Sequence, residues 1–277
     1  MHSLDSKELY LDLVKKTLSF SLWAEPPLPI EIGAFSRGTA MRNLTGLVSR
    51  VLRKAKLQLV RERDMSSSDR QDGKIWPGYA HTMIGMKRLN NLQMAVETVI
   101  KEGIEGDLIE TGVWRGGACI LMRAILAAYG IENRRVFVAD SFEGLPKPDG
   151  STPADKGDRH HVQDFLAVSK EQVAENFDKY GLLDDKVIFL KGWFKDTLPT
   201  APFEKLAVIR LDGDMYASTM DALVNLYPKL SKGGFCIIDD YGAVRGCREA
   251  VADYRAQHKI ESEILDIDWT GKYWRKE

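Results

Sequence analysis

Two apolar segments, Leu206–Asp212 and Phe235–Asp240, have the composition of buried β-strands, and each ends on aspartates. A helical segment separates them, and a right-handed crossover through that helix would make the two strands neighbours in one parallel sheet. Asp212, Asp239 and Asp240 would then meet at the carboxyl edge of the sheet, where mutual repulsion raises carboxyl pKa values. Because Mg²⁺ prefers oxygen ligands and relieves such repulsion, we predict a magnesium site that orients a substrate hydroxyl and lowers its pKa.

Asp214 follows the first of these aspartates by two residues, close to the predicted metal but not necessarily bound to it. We therefore predict Asp214 as the general base that takes a proton from the acceptor. Aspartates next to glycine also form turns and cap helices, which is the structural alternative for these acids. The pair His160-His161 lies in a polar loop, and we expect it to be solvent-exposed rather than a metal site.

A glycine-rich turn with the spacing E-x-G-x-x-x-G-G covers Glu110–Gly117, between a predicted strand and a predicted helix. In open α/β sheets a ligand binds beyond the carboxyl ends of the strands, and the first turn approaches it most closely. Gly112 permits tight turning, while Gly116 and Gly117 allow backbone approach and close helix packing. The spacing is not the G-x-G-x-x-G of nicotinamide enzymes, and the carboxylate of Glu110 suits a ligand with an ammonium group. A purely structural turn is the alternative.

The second and third predicted strands complete a candidate cofactor site. Asp140 ends the strand Val136–Asp140, where its carboxylate can accept both hydroxyls of a ribose; a helix N-cap is its alternative role. The third strand leads into Gly192 and Trp193, a small residue and an aromatic face for a purine. An amino-acid end, a ribose and a purine in this order describe S-adenosylmethionine (SAM). The residues predicted to contact it are Met83, Glu110, Thr111, Gly112, Val113, Trp114, Gly116, Gly117, Asp140, Ser141, Phe142, Gly192 and Trp193.

The elements that must position these residues change character near residue 105. Residues 1–104 are predicted to form helices and loops without a convincing strand. Residues 105–277 alternate short apolar strands with helices, which is typical of a mostly parallel sheet covered on both faces. The last two strands, Glu263–Asp268 and Lys272–Lys276, are predicted as an antiparallel hairpin at the edge of the sheet. The predicted helices include Lys7–Phe20, Thr39–Val60, His81–Lys101, Gly117–Tyr129, Gln172–Tyr180, Ser218–Leu230 and Cys247–His258.

The amino-acid composition argues against several classes of protein. The 277 residues contain 39 Lys and Arg against 40 Asp and Glu, a formal net charge of −1 that argues against nucleic acid as a partner. The basic stretch Arg37–Arg63 is interpreted as a solvated helix face, with an anionic or carrier-linked substrate as the alternative. No apolar run reaches the roughly 20 residues of a membrane span, and the N-terminus lacks the pattern of a secretory signal. Three scattered cysteines indicate reduced thiols, so we expect a cytoplasmic protein.

Four blocks of sequence, taken together, carry a resemblance to a known family: Glu110–Gly117, Asp140–Pro146, Leu190–Pro199 and Asp212–Thr219. The chain resembles the TylF-type macrocin O-methyltransferases, and the similarity extends over most of its length, including His81–Leu92. This resemblance implies the α/β fold of class I SAM-dependent methyltransferases, with SAM as methyl donor and Mg²⁺ as cofactor. It implies metal roles for Asp212, Asp239 and Asp240 and a base role for Asp214.

The same resemblance implies an acceptor and an assembly. The expected acceptor is a deoxysugar hydroxyl of a glycosylated antibiotic, and specifically the 4-hydroxyl of noviose in an aminocoumarin. The segments Pro26–Pro29 and Pro146–Asp164 are expected to act as lids, in a homodimer. More distant catechol-type enzymes place a lysine base three residues after the first aspartate of the metal site. That position is Met215 here, which leaves Asp214 as the better base.

Two alternatives of other functional classes remain at this point. A metal-dependent glycosyltransferase would use Asp212-Gly213-Asp214 as a D-x-D motif that binds a sugar nucleotide. That assignment leaves Glu110 and Asp140 without a shared role. A cofactor-binding protein without catalysis would keep the glycine turn but would not need the paired acids at 239 and 240.

Overall fold

A computed structural model describes residues 5–24, 27–29, 39–62, 66–148, 150 and 152–277 of the chain. Its main feature is a seven-stranded sheet in which five parallel strands are followed by an antiparallel pair at one edge. A separate two-stranded ladder pairs β1 with β2. The strands are β1 (Leu28–Pro29), β2 (Val60–Arg61), β3 (Asp107–Thr111), β4 (Val136–Asp140), β5 (Val187–Lys191), β6 (Leu206–Leu211), β7 (Leu230–Ile238), β8 (Leu265–Asp266) and β9 (Lys272–Arg275).

The strand order in the large sheet is β5-β4-β3-β6-β7-β9-β8. The order reverses between β3 and β6, which is where open α/β sheets bind ligands beyond the carboxyl ends of their strands. This architecture confirms the predicted α/β class and the antiparallel hairpin at the C-terminus. The helices are α1 (Ser6–Leu18), α2 (Thr39–Lys54), α3 (Ser67–Asp72), α4 (Met86–Lys101), α5 (Gly117–Ala128), α6 (Lys170–Lys179), α7 (Phe194–Thr197), α8 (Tyr216–Leu226) and α9 (Arg245–Gln257).

Helices cover both faces of the sheet, so the central strands are buried on both sides. In β3, Leu108 joins the hydrophobic cluster formed with α1, α4, α5 and α6, whereas Ile109 joins the cluster formed with α8 and α9. Successive side chains of a strand point to opposite faces, which explains why these strands are apolar without alternation. The helices α1 and α4 thus share a core with the sheet through residues such as Leu11 and Leu89. The domain boundary near residue 105 stays a prediction.

The structure corrects three of the predicted elements. The helix predicted over Thr39–Val60 ends at Lys54, and Val60 belongs to the strand β2. The helix predicted over Ser218–Leu230 ends at Leu226, because Tyr227–Lys229 forms a 3₁₀ turn containing Pro228 and Leu230 already pairs with Leu206 as the start of β7. The helix predicted from His81 begins at Met86. The backbone N–H of His81 donates to the carbonyl of Leu18 at 2.8 Å, and its carbonyl accepts from Gly117, so His81 cannot take part in a helical turn.

Two further corrections concern the region before residue 105. The pairing of β1 with β2 contradicts the prediction that this region holds no strand; each strand has two residues, too few to produce a periodic pattern. The polar stretch 66–79, with Gly73 and Pro77, has the composition of a loop, yet it contains α3, whose N-cap Ser66 accepts a hydrogen bond from the backbone of Asp69 at 3.1 Å. Of the Pro26–Pro29 segment, residue 26 lies outside the described residues. No helix in the described part of the chain is both long and apolar enough to cross a bilayer.

Candidate active site

A cavity of about 470 Å³ lies at the carboxyl edge of the sheet, beyond the ends of β3, β4, β6 and β7. It has one wall at the glycine turn after β3 and another at the aspartates after β6 and β7. Trp76 and described residues of the 146–164 segment, such as Pro146 and His160, also line it. Twelve of the predicted site residues line this cavity: Met83, Glu110, Gly112, Val113, Trp114, Asp140, Ser141, Trp193, Asp212, Asp214, Asp239 and Asp240.

Close packing between strand ends fixes the glycine turn. Gly112 has a φ of +83°, its N–H donates to the carbonyl of Ala139 at 2.9 Å, and a Cβ there would overlap the carbonyl of Asp212. The N–H of Asp212 donates to the carbonyl of Thr111 at 2.9 Å. These bonds hold the ends of β3, β4 and β6 together, so only glycine fits at position 112.

The two later glycines approach protein rather than the cavity. A Cβ on Gly117 would lie 2.5 Å from the carbonyl oxygen of His81, and one on Gly116 would lie 2.8 Å from Val173 of α6. These glycines therefore allow the segment before α4 and the helix α6 to pack closely, and their contact with the cofactor stays a prediction. The remaining predicted contacts that stand behind the cavity wall in the described structure are Thr111, Gly116, Gly117, Phe142 and Gly192.

Asp140 is anchored at the end of β4. One carboxylate oxygen accepts from the N–H of Val113 and the other from the N–H of Phe142, both at 2.7 Å. Burial raises the pKa of this carboxyl, while the hydrogen bonds from Phe142 and Val113 oppose that rise. Asp140 also lines the cavity, and a carboxylate can accept several hydrogen bonds, so a ribose-binding role and a turn-forming role are compatible.

Ser141 and Trp114 shape the wall around this carboxylate. The hydroxyl of Ser141 donates to the carbonyl of Gly144 at 2.7 Å and closes a turn. The indole N–H of Trp114 donates to the carbonyl of Phe165 at 2.9 Å, and the guanidinium of Arg115 lies 4.2 Å from the indole centre. Trp114 has a φ of +48°, an unusual conformation for a bulky residue. It links the glycine turn to the far end of the covering loop.

Glu110 is buried and has partners within the protein. One oxygen pairs with Arg210, and the other accepts from the thiol of Cys119 at 2.9 Å. Burial raises the pKa of Glu110 to about 7, against the opposing charge of Arg210. An ammonium group at this wall would therefore share the carboxylate with Arg210. Direct contact of Glu110 with a ligand stays a prediction.

Arg210 and Arg88 are the residues that sequence reasoning missed. Arg210 is 1% exposed and pairs with Glu110, with Asp212 (2.9 Å between Nη1 and Oδ2) and with Asp239. Arg88, from α4, pairs with Asp239 and donates from Nε to Asp268 at 2.9 Å. The only signal for Arg210 was a lone charge inside the apolar strand LAVIRL. Nothing in the sequence marked Arg88, because its partners lie 151 and 180 residues away.

The three predicted metal ligands do converge. Asp212, Asp239 and Asp240 each offer a carboxylate oxygen, and these three oxygens lie within 4.8 Å of one another. Burial and the neighbouring Asp239 raise the pKa of Asp212 to about 6, while burial and the neighbouring Asp214 raise the pKa of Asp240 well above its usual range. The donor set therefore fits a hard divalent cation, which would relieve this repulsion.

The arginines occupy some of these oxygens. Arg210 and Arg88 hold the two oxygens of Asp239, and Arg210 holds one oxygen of Asp212. Asp240, in contrast, accepts a hydrogen bond from the backbone N–H of Asp214. The positive charges of the two arginines also offset part of the negative charge of the buried carboxylates. The cluster as a whole stays negatively charged.

Asp214 stands beside this cluster in a strained conformation. Its φ is +56°, and its N–H donates to a carboxylate oxygen of Asp240 at 3.3 Å. Burial and the charge of Asp212 raise the pKa of Asp214 to about 7. Non-glycine residues with positive φ often occur at functional sites, where surrounding contacts offset the strain. His160, expected to be exposed, is half-buried and lines the cavity together with Asp214.

Comparison with known proteins decides the family. The model of the macrocin O-methyltransferase (TylF) family matches residues 7–276. The chain belongs to this family. It is an O-methyltransferase with the class I SAM-dependent fold, and SAM is its methyl donor. The alternative of a metal-dependent glycosyltransferase is therefore not supported.

Individual relatives cover nearly the whole chain. It is 50% identical over 273 residues to the 8-demethyl-8-(2,3-dimethoxy-alpha-L-rhamnosyl)-tetracenomycin-C 4'-O-methyltransferase of Streptomyces olivaceus, covering 98% of this chain and 94% of the relative. It is 54% identical over 209 residues to the demethyldecarbamoylnovobiocin O-methyltransferase of Streptomyces niveus, covering 75% and 80%. The solved structure of the O-methyltransferase NovP superposes with a TM-score of 0.83 at 45% identity, covering 98% of this chain and 99% of NovP.

Proposed function

We propose that this O-methyltransferase transfers the methyl group of SAM to a sugar hydroxyl of a glycosylated antibiotic, with Mg²⁺ as cofactor. The names of the relatives support the acceptor class, since one acts on a rhamnosyl group of tetracenomycin and another on a novobiocin precursor. The convergence of Asp212, Asp239 and Asp240 next to Asp214 carries the metal part of the proposal.

The residues of this chain have distinct roles in the proposed reaction. Asp212, Asp239 and Asp240 would hold the cation, whose chemistry is to orient the acceptor hydroxyl and lower its pKa. Asp214 takes the hydroxyl proton onto its carboxylate. The acceptor oxygen then attacks the methyl carbon in line with the sulfur, the C–S bond breaks, and S-adenosylhomocysteine leaves. The protein contributes orientation and charge placement.

The cofactor side of the cavity would position the methyl donor. We propose that Asp140 accepts the ribose hydroxyls and that Met83, Trp114 and Trp193 provide apolar faces around the nucleoside. These side chains line the same cavity as the carboxylate cluster, so donor and acceptor would meet in one cavity. Aromatic faces also favour a sulfonium cation.

For the acceptor we propose a deoxysugar such as noviose, methylated at its 4-hydroxyl in an aminocoumarin. The relative that acts on a novobiocin precursor, at 54% identity, supports this choice. Incubation with desmethyl aminocoumarins, rhamnosylated tetracenomycins and macrolides, followed by mass spectrometry and NMR of the products, tests it. Methylation of the aminocoumarin at the noviose 4-hydroxyl is expected. Turnover of only the tetracenomycin substrate would contradict it.

The metal requirement has its own test. Methyl transfer from labelled SAM should fall to background in chelator and return on addition of Mg²⁺. Asp212→Asn should abolish the Mg²⁺ stimulation while leaving SAM affinity largely unchanged, because Asp212 contacts the cation rather than the nucleoside. Asp164→Asn, at an exposed acid of the covering loop, is the matched control. Full activity of Asp212→Asn in chelator would defeat the metal proposal.

We further propose a homodimer. Apolar side chains on the outer faces of the N-terminal helices support it: Leu9 and Leu13 of α1 are 52% and 53% exposed, and Val51 of α2 is 61% exposed. Light scattering coupled to size exclusion measures the mass directly. About twice the mass of the 31.2 kDa chain is expected, and a monomer across the accessible concentration range would contradict the proposal.

A further inference from the structure

A carboxylate from the covering loop is bound deep inside the protein. Asp155 is 4% exposed, and its two oxygens accept from the backbone N–H groups of Tyr216 (2.7 Å) and Ala217 (3.0 Å). These are the first two residues of α8. The donors lie 61 and 62 residues further along the chain, so the contact joins the loop to α8 rather than closing a local turn.

This contact supplies what the helix itself lacks. The N-cap of α8 is Met215, whose side chain makes no capping hydrogen bond. The first N–H groups of a helix have no partner within the helix, and a negative charge there is favourable to the helix dipole. Asp155 therefore acts as the N-cap from a distance. The turn it stabilises directly follows Asp212 and Asp214.

The first turn of α9 is shaped to admit this carboxylate. A Cβ on Gly246 would lie 2.9 Å from Oδ1 of Asp155 and 2.9 Å from the backbone nitrogen of Tyr216. Any larger residue at position 246 would push the carboxylate away from α8. The seat of Asp155 is thus built from two helices that flank the carboxylate cluster.

The same loop carries a second ordered pair. The backbone N–H of His160 donates to one oxygen of Asp158 at 2.8 Å, and its Nδ1 lies 2.7 Å from the other. This pair fixes the imidazole ring. His160 lines both the main cavity and an adjoining one that Asp214 and Asp240 also line. The position of His160 beside the acceptor side of the site depends on how the loop is docked.

We propose that Asp155 is a positioning residue: its docking on α8 holds the 152–163 segment closed over the acceptor side of the cavity and keeps His160 beside Asp214. The identification of that side as the acceptor site rests on the proposed function. The docking itself does not depend on it. Loss of the cap should raise the population of the open segment about tenfold, the fold-change that corresponds to a lost N-cap.

Limited trypsin digestion measures the opening, because Arg159 lies within the segment. Cleavage after Arg159, followed by mass spectrometry, is expected about tenfold faster in Asp155→Ala than in the unsubstituted chain. Asp155→Asn keeps one acceptor oxygen and should recover part of the protection. Asp164→Ala, an exposed acid of the same loop, should be unchanged. Cleavage of Asp155→Ala within twofold of the unsubstituted chain would overturn the proposal.

Gly246→Ala provides an independent test that leaves Asp155 in place. It should open the segment as Asp155→Ala does, and the double variant should be no worse than either single one, since both remove the same contact. Additive effects of the two substitutions on the cleavage rate would show that they do not remove the same contact, and would overturn the proposal. A thermal melt of each variant, which we expect to keep one cooperative transition, separates segment opening from global unfolding.

Kinetics test the positioning role. In Asp155→Ala the KM for the acceptor should rise up to about tenfold with little change in kcat, because saturating acceptor restores the closed segment. The acceptor KM of Asp155→Asn should lie between the values for Asp155→Ala and the unsubstituted chain. Faster cleavage with an unchanged acceptor KM would reject the positioning role. If no tested acceptor is methylated by the unsubstituted chain, the proposed acceptor class fails, whereas the digestion still decides the docking.

Discussion

Arg210 offers the most demanding prediction about how the carboxylate cluster is maintained. Its guanidinium is 1% exposed and pairs with three carboxylates, those of Glu110, Asp212 and Asp239. Replacing it with methionine keeps the volume but leaves these acids without their shared cation. Removal of one partner from a buried ion pair costs about 3–5 kcal/mol, because the remaining charge stays buried. We expect Arg210→Met to lose at least that much free energy of unfolding.

Urea denaturation followed by far-UV circular dichroism measures this loss. Arg210→Lys should lose less, about 1–2 kcal/mol, because an ammonium keeps the charge but not the forked hydrogen bonds. Arg245→Met is the matched control: Arg245 pairs with Glu249 on the surface of α9 and is 78% exposed, so at most about 0.5 kcal/mol is expected. Added Mg²⁺ should stabilise Arg210→Met more than the unsubstituted chain. A loss below about 1 kcal/mol in Arg210→Met would refute the argument.

Three further predictions concern the base, the turn and pH. Asp214→Asn should slow single-turnover methyl transfer about 10²–10⁴-fold with SAM affinity retained, and an unchanged quench-flow rate would reject the base. Gly112→Ala should cost at least ~2 kcal/mol in urea melts, because a Cβ collides with the carbonyl of Asp212 at a φ of +83°. Burial and the positive charge of Lys179 lower the pKa of His81 from 6.5 to about 4, so the unfolded chain binds a proton at this histidine before the folded chain does. The free energy of unfolding therefore falls as the pH drops from 6.5 to about 4. Because His81 is partly solvent-screened, His81→Gln should remove only about 1–2 kcal/mol of this pH dependence; identical profiles would contradict it.

The position of the aspartates could be predicted because it follows from topology. β6 and β7 are parallel neighbours, so residues after their ends meet at one edge, and Asp212, Asp239 and Asp240 do so. The glycine turn was recognisable for the same reason, since it follows β3 directly. The resemblance to the family favoured methyl transfer, and the match to the family model then decided the reaction class.

What could not be predicted depends on partners distant in the chain. Arg88 and Asp155 look like ordinary helix and loop residues, and only the fold brings them to Asp239 and to α8. Met83 and Ile84 have the apolar spacing of a helix, yet they lie in the loop before α4, whose N-cap is Gly85, and they line the cavity. The early start of β7 at Leu230 similarly reflects pairing with Leu206 rather than local propensity.

The most direct test of the account is a crystal of the protein grown with Mn²⁺, a magnetically and anomalously visible substitute for Mg²⁺, and S-adenosylhomocysteine. We predict one anomalous peak among the carboxylate oxygens of Asp212, Asp239 and Asp240, with the nucleoside against Asp140. A nucleoside bound at Asp140 with no metal peak at the three aspartates, at saturating Mn²⁺, would contradict the claim that these carboxylates form the metal centre.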